Sequence, residues 1–424
     1  MRAAAPSAAE APPPGLTAGA APLSADDFAA AMAPLGPFGP APRVLAGVSG
    51  GPHSLALALL ARDWARSRAG VLVAAVCDHG LRDGSAAEAG VVADLLAGQG
   101  IPARVLRLGL APGPGTQARA RAARLAALHA ACAGAGAPWL LLGQHRGDQA
   151  ETVLLRAVAG SGPAGLAGME AARPSAEALV LRPLLGVAPA RLEAVCAAAG
   201  LAPIRDPSNH DPRFDRVRLR AALADPAGEG PATRALAAAA ARFAARRAVA
   251  RAAVAARLAA AARLHEAGFA RLDLAALGAD AVAAAALGAL LRVVGGGDFA
   301  PAEAAIARLL ARGEGTLGGA VLRRDGLLLR EAAAMARPVP ARAGAAWDGR
   351  FLLLGEAEGD ALGAAGEAAR RLPRPAWLPG AVVPTLPALY RHGKLAAVPA
   401  LAYPSTEAAA RPAIAFAPQA GPAT

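Results

Sequence analysis

Lysine is almost missing. Lys394 is the sole lysine among 44 Lys and Arg residues, which argues against a Walker-type phosphate loop, because that loop needs a lysine directly after its last glycine. Cysteine is scarce too. Cys77, Cys132 and Cys196 lie far apart and form no CxxC pair, so neither a disulfide framework nor a zinc site is expected, and reduced thiols of a cytoplasmic protein are the plain reading. Long apolar runs are lacking as well. None reaches the roughly 18 to 20 uncharged residues that span a bilayer, so no membrane partner is expected. The first 22 residues are rich in Ala and Pro, with Glu10 and Pro12 to Pro14 interrupting any apolar core. They read as a disordered tail rather than a signal peptide.

Aromatics make up 3% of the chain while hydrophobic residues reach 55%, so cores must be built from Leu, Val and Ala, and many Ala-rich helices are expected. The formal net charge is +12, carried almost wholly by arginine. Guanidinium groups stay charged and pair bidentately with phosphate, which suits an RNA partner. A GC-rich coding sequence that inflates Ala and Arg together explains the excess equally well. At 424 residues the chain exceeds one ordinary core, so two or three domains are expected.

From Arg43 onward short β-rich runs alternate with helical stretches. Strands are expected over 44–48, 71–77, 103–108 and 139–143, with helices over 54–64, 85–97, 117–133 and 148–158. Such alternation implies an α/β fold with a parallel sheet covered by helices on both faces. Ligands in such sheets bind beyond the carboxyl ends of the strands. After Arg220 the pattern becomes nearly continuous Ala/Arg/Leu helix over 235–263. A helix and hairpin follow over 301–331, with Asp325-Gly326 as turn chemistry. The expected organisation is a tail and leading helix over 1–37, an α/β catalytic domain over 38–224, a mostly helical domain with a hairpin over 225–335, and a small α+β, Pro/Gly-rich region over 336–424.

The residues with chemistry fall just after the expected strands. Ser49-Gly50-Gly51-Pro52-His53-Ser54 joins the first strand to the first helix. Its glycines allow close approach of backbone to phosphate, and its hydroxyls and helix-start amides are donors. Asp78-His79-Gly80-Leu81-Arg82 ends the second strand, where Arg82 can face an anion and His79 can serve as a local hydrogen-bonding residue. Arg121 and Arg124 share a helix face at i, i+3, either as a solvated charge run or as a clamp for carboxylate or RNA phosphate. Gly143-Gln144-His145-Arg146-Gly147-Asp148-Gln149-Ala150-Glu151-Thr152 ends the fourth strand. Asp148 and Glu151 there point the same way, to complement the helix dipole or to bind an ammonium group or magnesium. Asp206-Pro207-Ser208-Asn209 is a turn former.

Taken in order, these segments resemble the PP-loop ATP pyrophosphatase family, whose loop reads SGGxDS, and within it the lysidine synthase branch. HGLR at 79–82, ARxxR at 120–124, the 143–152 segment, the glycine run 160–169, Leu181-Arg182-Pro183-Leu184-Leu185 and Asp206 to Asn209 with Arg216, Arg218 and Arg220 all fit that branch. The chain departs from it at His53 and Gly147, where the pattern has Asp, at Gln144 for His, at Leu125 for Tyr and at Ala159 for Arg.

The resemblance implies a PP-loop (adenine nucleotide alpha hydrolase-like) domain over 38–224, a tRNA-contacting helical domain after it, and ATP and Mg2+ as cofactors. It implies ligation of L-lysine to C2 of the wobble cytidine of tRNA(Ile) with a CAU anticodon, through an adenylated tRNA, changing decoding from AUG to AUA. Ser49 to Ser54 would hold ATP, and Asp148, Glu151, Arg121 and Arg124 would act on substrate, Asp148 also as a metal ligand. His79, Arg82, His145, Asp206 and Asn209 would complete the substrate site. A PP-loop tRNA thiolase and a catalytically impaired tRNA-binding relative are the alternatives. The first would use paired cysteines; the second is motivated by His53 and Gly147.

Overall fold

Ser24 starts the first helix by accepting the Asp27 N–H at 3.0 Å, and α1 runs over Ala25–Met32. The computed structural model describes residues 19–80, 84–110, 113, 116–175, 177–204, 215–357, 359–404 and 413–418. Arg82, Asp206 and Asn209, expected at the site, lie outside the described residues, as does most of the expected tail. The chain forms two compact units, 1–247 and 248–424.

In the first unit, β1 (Arg43–Val48) leads into α2 (Pro52–Arg66), β2 (Val71–Asp78), α3 (Ser85–Gly98), β3 (Ala103–Arg107), α4 (Thr116–Ala135), β4 (Trp139–Leu142) and α5 (Arg146–Val158). A short α6 (Pro163–Leu166), β5 (Ala172–Pro174), β6 (Leu179–Leu181), α7 (Pro189–Ala198) and α8 (Asp215–Leu223) follow, and α9 (Pro231–Ala261) runs across the 247/248 boundary. The sheet order is β3-β2-β1-β4-β6-β5. All neighbours pair in parallel except β5, which is antiparallel to β6 at the edge.

Alternation along the strands builds two cores. Val44, Ala46 and Val48 of β1 and Leu141 of β4 pack with Leu55, Leu57, Val92, Leu96, Leu192 and Val195, from α2, α3 and α7. Leu45, Leu140 and Leu142 face the other way, onto Leu128 and Cys132 of α4. Both faces are therefore covered, which is why β1 and β4 read as unbroken apolar runs. The chain winds from β1 out to β2 and β3, then returns to place β4 on the other side of β1. In sheets of this kind the crevice for ligands lies at such a reversal, here beside the loops after β1 and β4.

The second unit is built around an antiparallel sheet, with β7 (Ala262–His265), β8 (Phe269–Leu272), β9 (Gly315–Leu317), β10 (Ala320–Leu322) and β11 (Leu327–Arg330) in the order β7-β8-β11-β10-β9. Helices α10 (Leu274–Leu277), α11 (Ala281–Gly295) and α12 (Glu303–Arg312) accompany it. Leu287 and Leu291 of α11 and Ile306 and Leu309 of α12 pack on Ala270, Ala320 and Leu328. Two strands here, β7 and β8, fall where the sequence shows few strand signals, because each has only four residues and Ala262 continues the alanine run of α9. The last part carries two small sheets, of four and three strands. Asp348, almost fully buried, joins Arg330 and Arg350 there in ion pairs of 2.8 Å each. Among the described residues no helix is long and apolar enough to cross a membrane.

Candidate nucleotide and amine site

Gly50 makes the turn after β1 possible. Its φ is +83°, and a Cβ there would come within 2.6 Å of Val92, so a side chain is barred by backbone and by packing alike. The turn is held by its serines: Ser49 N–H donates to Ser54 Oγ at 3.1 Å, the two hydroxyls lie 3.2 Å apart, and Ser54 Oγ donates to Gly51 O at 2.9 Å. Gly51 is the N-cap of α2 and no side chain caps the helix start, with Pro52 in the first turn. A helix start of this kind, entered through Gly-Gly, favours an anion.

The loop after β4 packs directly against this turn. Gly143 allows it, since a Cβ there would meet His53 O at 3.1 Å and the Ser54 Cα at 3.2 Å. Beyond it, the His53 and His145 rings meet edge to face with centroids 4.0 Å apart. His53 Nε2 also lies 3.9 Å from a buried carboxylate, Glu193 Oε1 of α7. His145, itself buried, is the N-cap of α5: its Nδ1 accepts the Gly147 N–H at 3.1 Å, and its own N–H donates to Asp148 Oδ2 at 3.1 Å. Gly147 fits this cap, because a Cβ at 147 would come within 3.0 Å of the His145 ring.

Asp148, in the first turn of α5, and Glu151, in the next, both face one cation. Arg220 of α8 donates from Nε to Glu151 Oε1 at 2.7 Å, and its terminal nitrogen lies 3.8 Å from Asp148 Oδ1. Glu151 is 3% exposed and its Oε2 is buried without a hydrogen-bond partner. Desolvation pushes the Glu151 carboxyl above its usual range, Arg220 pulls it down, and Asp148 adds to the rise.

The expected residues divide. The loop 49–54, His145, Asp148 and Glu151 share the crevice through the His53–His145 contact, whereas His145 serves visibly as a helix cap. Arg121 is exposed on α4. Partial desolvation and the charges of Arg216, Arg124 and Arg173 lower its pKa, with Asp148 opposing them. Arg124 is electrostatically coupled to Cys77. His79 follows Asp78, a buried carboxylate that accepts from Ser85 Oγ at 2.6 Å and from Gly80 N–H at 3.0 Å and so fixes the turn after β2. Sequence reasoning did not single out Glu193 or give Arg220 its place at the carboxylates. Arg220 stood in the Arg216, Arg218, Arg220 series, but Glu193 lies in an ordinary helix and nothing in its surroundings marks it.

As to magnesium, the described residues hold no group of three or more His, Cys, Asp or Glu placed to bind a metal. Asp148 spends one oxygen on the His145 N–H. These side chains do not form a resident magnesium cage.

Parallel sheet, glycine loop and crevice define a nucleotide-binding class, and the comparisons agree: residues 25–226 match the PP-loop domain family and form such a domain. Over that region the chain resembles tRNA(Ile)-lysidine synthases. It is 43% identical over 188 residues to the one from Novosphingobium aromaticivorans, 42% over 199 to that of Rhodopseudomonas palustris and 43% over 184 to that of Salinispora tropica. These matches cover 44%, 46% and 42% of this chain but only 57%, 58% and 54% of the relatives, so the chain spans little more than half their length. A solved structure, the U34-tRNA thiolase NcsA from Methanococcus maripaludis with its [4Fe-4S] cluster, aligns at 15% identity with a TM-score of 0.43, covering 52% of this chain and 77% of that one.

Proposed function

We propose that the protein ligates L-lysine to C2 of the wobble cytidine of CAU-anticodon tRNA(Ile) at the expense of ATP, in the cytoplasm, forming lysidine. ATP adenylates the C2 carbonyl oxygen and releases pyrophosphate; the ε-amine of lysine then attacks C2 and AMP leaves. The observation that carries this reading is a pair of carboxylates, Asp148 and Glu151, one imidazole contact away from the phosphate-type loop. An anion site and a cation site side by side suit a reaction that joins an adenylate to an amine.

The geometry supports the following roles. Ser49, Gly50, Gly51 and Ser54, with the start of α2, would hold the phosphates, and Pro52 would fix the first turn. His53 would face them as an imidazole backed by Glu193. Asp148 and Glu151 would seat the lysine ammonium, and one of them would take its proton before attack. Arg121 and Arg124 would anchor substrate carboxylate or RNA phosphate. His79, His145, Arg82, Asp206 and Asn209 are the remaining proposed substrate-site residues; His145 also caps α5, and Arg82, Asp206 and Asn209 lie outside the described residues. Magnesium would arrive as the counter-ion of the nucleotide, since the described residues group no cage for it.

Sulfur transfer finds little support in the thiols. Burial, with help from Glu177, pushes Cys132 up to about 11, and burial with Glu193 pushes Cys196 up to about 12. Thiols of that kind are poor nucleophiles near neutral pH. Incubating the purified protein with ATP, magnesium, radiolabelled lysine and the CAU-anticodon transcript tests the proposal. Label entering the tRNA, dependent on ATP, is expected; no incorporation overturns it.

A further inference from the structure

Glu151 is a buried carboxylate with one of its two oxygens engaged. Its Oε1 takes the Arg220 Nε–H at 2.7 Å, while Oε2 has no partner. The same guanidinium reaches toward Asp148 Oδ1 at 3.8 Å. It therefore lies across both carboxylates to which the proposed function gives the substrate amine, and one seat does not hold two cations.

We propose that Arg220 is a resident stand-in for the substrate ammonium: its guanidinium fills the amine seat until the amine displaces it, and Arg220 thereby sets how readily lysine binds. This rests on the amine-site reading of Asp148 and Glu151. Three observations support the exchange. The fit of Arg220 is incomplete, because a guanidinium matched to a carboxylate engages both oxygens, and this one engages a single oxygen of Glu151. An ammonium carries three donors and can reach Glu151 Oε1, the idle Oε2 and Asp148 together. Exit is also open: the Arg220 side chain is 46% exposed, and α8 buries none of its residues. None of the helix's own side chains leaves a buried core when it withdraws, so its local opening is a low-cost motion of the kind expected of weakly packed segments.

The rest of α8 offers the released guanidinium no other carboxylate, so the amine competes with Arg220 for one pair of acids. Asp215, on the same helix, is already paired with Arg218. Asp148 and Glu151 are thus the carboxylates competing for Arg220, and no further acid on α8 draws it elsewhere. The stand-in supplies one positive charge to the two carboxylates while substrate is absent, and lysine restores the same charge balance when it arrives.

Calorimetric titration of lysine into the full chain, as wild type, Arg220→Ala, Arg220→Gln and Glu151→Gln, tests this. If the guanidinium holds the seat about nine-tenths of the time, removing it tightens lysine binding about tenfold. Both Arg220 variants are expected to show that gain, and Gln keeps a polar side chain where Ala disturbs folding. Ethylguanidinium should re-occupy the vacated seat, weakening lysine binding in the Arg220 variants and changing it little in wild type. That competition is not produced by a merely structural arginine. Equal or weaker lysine binding by both Arg220 variants, with Glu151→Gln still abolishing it, overturns the stand-in and leaves the amine site intact. Binding that survives Glu151→Gln overturns the amine site itself.

Discussion

Burial acts on Glu151 and Asp348 alike, but their neighbours decide opposite outcomes. At Glu151 desolvation outweighs Arg220 and the carboxyl is raised. The folded state then holds the proton more firmly than the unfolded chain does, so this residue's contribution to stability is complete below its ordinary value of 4.5 and is lost as pH rises through the raised one. Glu151→Gln should therefore flatten the fall of stability with pH above that value, while abolishing lysine transfer by about a hundredfold or more. Urea unfolding across that pH range checks the first, and an unchanged slope would remove Glu151 as its cause. At Asp348 burial also raises the carboxyl, yet hydrogen bonds from Arg330 and the charge of Arg350 win and hold it below the usual range. Its contribution is present above 3.8 and is lost as pH falls through the lowered value. Burial meanwhile pushes Arg350 down to about 10. Asp348→Asn leaves two buried guanidiniums without their carboxylate and should cost about 3–5 kcal/mol. A loss under about 1 kcal/mol in denaturant unfolding would mean that both re-solvate freely.

At the scale of elements, what could be read from the sequence depended on length and punctuation. β1, β2 and β4 were legible because each is an apolar run closed by a glycine or polar turn, and α2 begins within two residues of its expected start. β5 and β6 have three residues each, shorter than any periodic pattern can mark. Contacts between distant segments were also out of reach: Arg220 and Glu151 are 69 positions apart, and only folding brings α8 to α5. The junction of β4 with α2 is different, because Gly143 marks it in the sequence and the structure shows why. A methyl group there must displace backbone atoms of His53 and Ser54, which no rotamer change relieves. Gly143→Ala should raise the KM for ATP about tenfold and cost about 1–3 kcal/mol of stability. Gly90→Ala is the matched control: nothing lies within 4 Å of its Cβ, and within a helix Ala is favoured by about 0.5–1 kcal/mol. A KM for ATP unchanged by Gly143→Ala would sever the loop after β4 from nucleotide binding.

Across the whole molecule the most legible property was charge, and the least legible was the second unit. Its sheet is made of strands of three or four residues, and its central ion pairs hide Asp348 and Arg350 in a stretch that reads only as Pro/Gly-rich. Arginine, in contrast, is plain in the sequence, and the structure spreads much of it on helix surfaces: Arg216 and Arg218 on α8 and Arg234 and Arg242 on α9 are exposed. A chain of net charge +12 that binds tRNA through such groups releases counter-ions from each phosphate it neutralises. If six or more phosphates are engaged, affinity for the CAU-anticodon transcript should fall about a thousandfold or more between about 50 and 200 mM salt. ATP held by the backbone amides and hydroxyls of the 49–54 loop should respond far less over the same range. Filter binding of labelled transcript and a parallel ATP titration measure both. A flat tRNA curve would assign the arginine excess to coding composition instead of to RNA, whereas equal salt slopes for tRNA and ATP would place the arginines at the nucleotide and leave the helices after residue 215 without a role in binding.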